Sequence, residues 1–110
     1  MEKTQIFSMG KDDFYPRLTA AVQSAQKKGL TYNFTFRIDA ENHESGVMKL
    51  VVQANAFGLH EDYASVHITY YEDGGNTCCT AKTNVPLTSK PYQGKINKMV
   101  EDLFQKICYM

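Results

Sequence analysis

Between residues 31 and 85 apolar and polar side chains alternate in four successive runs, and a stretch with helical spacing stands on either side of them. Alternation with period two marks strands that bury one face, whereas apolar residues three and four apart mark one face of a helix. In the first helical stretch Phe14, Leu18, Ala21, Val22 and Ala25 form one stripe. Pro16 has no N–H to donate and belongs in the first turn, which makes Asp13 the predicted N-cap; Lys27, Lys28 and Gly29 end the helix near Lys28. After Val85, the run from Pro86 to Pro91 is a turn leading into the last helix, with Thr88 or Ser89 as cap and Pro91 in the first turn. Tyr92, Ile96, Met99, Val100, Leu103, Ile107 and Cys108 then make an apolar stripe opposed by Lys95, Lys98, Glu101, Asp102 and Gln105. Residues 4 to 9, with Ile6 and Phe7, offer a short edge strand ahead of the first helix, on either edge of the sheet.

The register of the strands follows from keeping apolar residues together, because a slip of one residue turns every side chain over. Gly74-Gly75 is a two-residue turn of the kind in which both residues take positive φ. Centred there, the last hairpin pairs Tyr70 with Cys79, Ile68 with Ala81, Val66 with Thr83 and Ala64 with Val85 on an inner face. Its outer face pairs Tyr71 with Cys78, Thr69 with Thr80, His67 with Lys82 and Ser65 with Asn84. Across a loop at residues 58 to 62, Ala56, Ala54, Val52 and Leu50 are expected opposite Ala64, Val66, Ile68 and Tyr70. In the first hairpin Tyr32, Phe34, Phe36 and Ile38 face inward, joined through the polar loop from Glu41 to Ser45. One register sets Arg37 against Lys49, a like-charge pair that costs something; a shift of two residues sets Asp39 there instead.

One face of an antiparallel meander and two apolar helix stripes cannot remain in water, so each must cover the other. The predicted fold is α+β: four to five antiparallel strands with two helices packed on one face, in the order β-α-β-β-β-β-α, as a single domain spanning residues 1 to 110. That order resembles helix-grip domains, in which a sheet curls around a long terminal helix, a resemblance of architecture that implies no function.

Composition adjusts this picture only slightly. At 110 residues with 43% apolar residues, seven Tyr and six Phe, the chain can build one packed core. Twelve basic and twelve acidic residues leave a formal net charge of zero, which gives no overall field for nucleic acid or an anionic membrane. There is no apolar run long enough for a bilayer and no leader-like h-region, so a cytoplasmic location is expected, with neither nucleic acid nor membrane as a partner. Three cysteines, two of them adjacent, are not a disulfide framework.

Candidate chemistry is sparse, with no metal-ligand spacing, no phosphate-cradling glycine loop and no nucleophile-base-acid set; no metal and no cofactor is expected. Cys78 and Cys79 point to opposite faces of a strand and so do not converge on a metal. The predicted register sets His67 between Gln53 and Lys82, a polar outer row that could hold a carboxylate or other small anion or could simply be solvated. His43 and His60 lie on loops with acidic neighbours, where solvation is the ordinary reading. On the inner face Tyr32, Tyr70 and Tyr92, with Met99, would line a pocket if the last helix stood away from the sheet; a packed core is the alternative. The outer face groups Thr35, Val51, Thr69 and Thr80 in one row near Phe57, Tyr63 and Tyr71, which suits a homodimer as well as an open solvated face. The expected function is therefore a non-catalytic binding or interaction domain, as a homodimer or with a small ligand between sheet and last helix. The alternative is a small enzyme using His67, Lys82 and Cys78 on the outer face.

Overall fold

The computed structural model describes residues 1–28, 33–56 and 58–109, with the backbone alone at 26–28 and 109. The elements are β1 (Glu2–Phe7), α1 (Lys11–Ser24), β2 (Gln26–Lys28), β3 (Asn33–Asn42), β4 (Val47–Ala56), β5 (Leu59–Asp73), β6 (Asn76–Asn84), a 3-10 helix (Leu87–Tyr92) and α2 (Gln93–Tyr109). All strands pair antiparallel, in the spatial order β1-β6-β5-β4-β3-β2. The α+β architecture predicted from the alternation forms, with the first strand lying beside the last. Among the described residues no helix is long and apolar enough to cross a membrane.

Both helices cover the face that alternation assigned to the interior. Phe36, Val52, Ile68 and Ala81 on the inner face are 9%, 0%, 0% and 0% exposed, while Lys82 and His67 on the other face are open to solvent. Phe14 of α1 packs on Tyr70 of β5 with ring centroids 5.2 Å apart, and Phe104 of α2 meets Phe7 of β1 at 5.8 Å. Burial of each such side chain contributes roughly 1.5–3 kcal/mol.

The helix boundaries differ from the sequence reading. α1 begins at Lys11, two residues before the expected cap at Asp13, with Gly10 as the N-cap. Its leading N–H, on Lys11, donates to Glu72 Oε1 at 2.6 Å, so the group that satisfies it comes from β5 and not from a neighbouring residue. α1 also stops at Ser24 instead of near Lys28, because Ala25 turns extended and Gln26–Lys28 add to the edge of β3 as a three-residue strand. Before α2, Ser89 N–H bonds to Pro86 O at 2.9 Å and the chain winds first as a 3-10 turn that contains Pro91. Within α2 the stripe includes Phe104, fully buried, and excludes Cys108, whose exposed thiol accepts a hydrogen bond from Gln5 Nε2 at 2.9 Å.

The last hairpin pairs as predicted from Ser65 opposite Asn84 through Tyr71 opposite Cys78. The β4–β5 hairpin keeps the predicted faces but shifts by four residues: Leu50 lies opposite Val66 and Val52 opposite Ala64. The cause is a shorter loop, since Ala56 pairs with Leu59 around a Gly58 with φ of +79°, together with an extra residue, Tyr63, inserted between Asp62 and Ala64. The bulge turns Tyr63 inward, where its ring lies 5.8 Å from Phe34 and 5.1 Å from Tyr92, so it does not join the outer row expected of it. β3 takes the register that avoids the Arg37–Lys49 pair, with Ile38 opposite Leu50. A bulge at Asp39 then sets Ala40, not Asp39, against Lys49.

Candidate functional site

The face of the sheet turned away from both helices is built from the odd-numbered residues of β4, those of β5 from Ser65 onward, and the even-numbered residues of β6. In the observed register Lys49 lies opposite His67, and His67 opposite Lys82, so three nitrogen-bearing side chains stand side by side on β4, β5 and β6. Adjacent strands lie about 4.8 Å apart, which places the two lysine backbones about 10 Å from each other with the imidazole between them. All three side chains are exposed, and among the described residues neither Lys49 nor Lys82 has a carboxylate within 4.0 Å. Arg37, another cation on this face, is already paired: it reaches Asp39 at 3.7 Å and Asp62 at 3.5 Å. Two unit charges 10 Å apart repel by only about 0.4 kcal/mol in water, so solvent tolerates the row.

A depression of about 310 Å³ opens here, lined by Lys49, Ser65, His67, Lys82 and Asn84 among others. A larger depression of about 440 Å³ beside Glu61, Asp62, Tyr63, Thr88 and Ser89 offers two carboxylates and no basic side chain. Among the described residues no group of three or more His, Cys, Asp or Glu could hold a metal ion.

The row expected from sequence contained Gln53 in place of Lys49. The four-residue shift of β4 against β5 brings Lys49 to His67, and with the one further residue of the bulge carries Gln53 to Asp62, to whose Oδ1 its Nε2 donates at 3.3 Å. Cys78 is not part of the row either. It pairs with Tyr71 four residues along β6 from Lys82, a separation of about 13 Å at strand spacing. Its hydrogen bond there holds the Tyr71 phenol above the ordinary range. The threonine row also re-forms differently, as Thr4, Thr80, Thr69 and Val47, with Val51 moved opposite Ser65 and Thr35 opposite Gln53. Phe57 lies outside the described residues.

The residues expected around an inner ligand are occupied by protein neighbours. Tyr70 and Met99 are 2% and 3% exposed members of the core, and Tyr92 packs its ring 5.6 Å from Phe34. Tyr32 lies outside the described residues.

One cluster escaped the sequence reading. His43, expected to be solvated, sits in the turn between β3 and β4 with its Nδ1 2.9 Å from Tyr70 Oη and its Nε2 3.0 Å from Asp12 Oδ1. The Tyr15 ring lies 4.5 Å from the imidazole, and the Tyr15 hydroxyl donates to Glu41. A carboxylate can only accept, so Nε2 carries a proton toward Asp12, and in the neutral ring Nδ1 accepts from Tyr70. Desolvation pushes the Tyr70 phenol up to about 12, which keeps it a donor. The arrangement fastens the β3–β4 turn to α1 and β5, and the buried phenol gives it no open nucleophile.

No protein-family model matches the chain, and no curated protein matches it in sequence.

Proposed function

We propose that the protein is a non-catalytic binding domain whose ligand is a small molecule lying on the open face of the sheet, over β4, β5 and β6. The observation that supports this reading is the coincidence on one uncovered surface of a 310 Å³ depression and three adjacent polar side chains without a partner among the described residues. Exposed donors gathered without acceptors are available to a ligand. Catalysis through His67, Lys82 and Cys78 has less support, because Cys78 is about 13 Å along its strand and no described carboxylate orients His67.

A second copy of the chain is the competing occupant, favoured by Ile6 and Tyr71, which stand 66% and 61% exposed at one end of the same face. A symmetric pairing centred on the lysine row would set like charges against each other, which favours the small ligand.

Native mass spectrometry of the purified protein separates these readings. The small-ligand reading predicts one 12.5 kDa chain carrying an adduct that collisional activation removes. A mass of two chains would replace that reading with the homodimer. A single bare chain whose open-face amides respond to no compound in a small-molecule screen would overturn both.

A further inference from the structure

We infer that the group bound on the open face is a phosphate, free or as a monoester, held between Lys49, His67 and Lys82; this rests on the binding reading above and names the chemistry of its ligand. Two features of the site select an anion. The two ammonium groups approach from strands on either side of His67, and neither is neutralised by a neighbour among the described residues. Arg37, a further cation on this face, is paired with Asp39 and Asp62, whereas the two lysines of the row are not paired with a carboxylate among the described residues. The nearest acid by register is Glu2, opposite Lys82 on the edge strand, and it forms no ion pair with it.

Geometry then selects phosphate over carboxylate. Donors from three adjacent strands present themselves in a line about 10 Å long at the backbone, and lysine arms are long enough to converge from both ends. A carboxylate has two oxygens and one charge. A phosphate monoester has three terminal oxygens and close to two charges near neutral pH, one oxygen for each of the three side chains. Ser65 and Asn84, paired in the next row of the same depression, supply neutral donors for whatever the phosphate is attached to.

The test is an amide chemical-shift titration at constant ionic strength, which removes general screening from the comparison. The probes are inorganic phosphate, phenyl phosphate, benzoate and benzyl alcohol. Saturable shifts around residues 49, 65–67 and 82–84 are expected with both phosphates. Tighter binding of phenyl phosphate would point to a monoester, and equal binding to the free anion. Lys49→Gln and Lys82→Gln should each weaken binding about tenfold, and the double variant should abolish it. Because both lysines are exposed, the thermal transition of these variants should stay in place, and Lys82→Arg should retain binding.

Equal affinity in wild type and the double variant would overturn the inference, as would benzoate binding as tightly as phenyl phosphate. Benzyl alcohol moving these amides while neither phosphate does would sink the phosphate and leave the binding domain standing. If no compound moves them, the open-face reading falls as well.

Discussion

Gly46 closes the β3–β4 turn with φ of +70°, and its carbonyl accepts the Tyr70 N–H at 2.9 Å. A Cβ built there would sit 1.9 Å from Tyr70 O, a backbone atom with no freedom to withdraw. Gly46→Ala should therefore destabilise the protein by about 3 kcal/mol or more, read as a lowered urea midpoint, and should loosen the His43 contacts that ride on the same turn. Burial, and then the charge of Cys78, push the Cys79 thiol up to about 12, so the reactive thiolate is scarce at neutral pH. Thiol titration of the folded protein should count two groups, the exposed Cys108 and the half-buried Cys78, and a third only after denaturation. Rapid reaction of all three in the folded state would contradict the burial. The opposite facing of Cys78 and Cys79 was legible in the sequence because strand alternation is a local rule. The partners of His43 were not, since Asp12 and Tyr70 lie 31 and 27 residues away in the chain and no local spacing connects them.

Among the elements, α1 shows most plainly how a tertiary contact can override a local signal. Pro16 and Asp13 look like a first turn and its cap, yet the helix starts earlier because Glu72 of β5 meets the Lys11 N–H. Replacing Glu72 with Ala should cost about 0.5–2 kcal/mol, the usual range for a lost cap. It should also speed amide exchange from Lys11 through Phe14 ahead of the rest of the helix; unchanged exchange there would show that the carboxylate is not the cap. The strands divide along similar lines. The Gly74-Gly75 turn fixes its hairpin outright, since both residues take positive φ, at +60° and +81°. The β4–β5 hairpin was readable in its faces and not in its register. An even shift preserves every face, and a bulge at Tyr63 leaves no mark in the alternation that distinguishes it from a longer loop. That ambiguity is what placed Gln53, rather than Lys49, beside His67.

At the scale of the molecule, the division into one covered and one open sheet face was legible from periodicity, while the chemistry of the open face depended on the one register that periodicity leaves free. The covered face also sets an alkaline limit. Tyr70 and Cys79 titrate at ordinary values of 10.0 and 9.0 when unfolded and are both raised to about 12 by burial in the fold. Between about 9 and 12 the unfolded chain thus binds fewer protons than the folded one, so stability falls as pH climbs through that window and is fully present below it. Urea midpoints at pH 7, 9 and 10.5 should decline in that order; a midpoint unchanged to pH 10.5 would deny the shifts. The two helices share one side of the sheet and leave the other uncovered. A neutral paramagnetic relaxation agent, added to the ligand-free protein with side-chain methyl and methylene signals assigned, measures this most directly. Strong broadening is predicted at Thr4, Ile6, Lys49, Thr69 and Lys82, with Leu50, Val52, Val66 and Ile68 protected. Protection of both sets, or broadening of the second, would contradict the account.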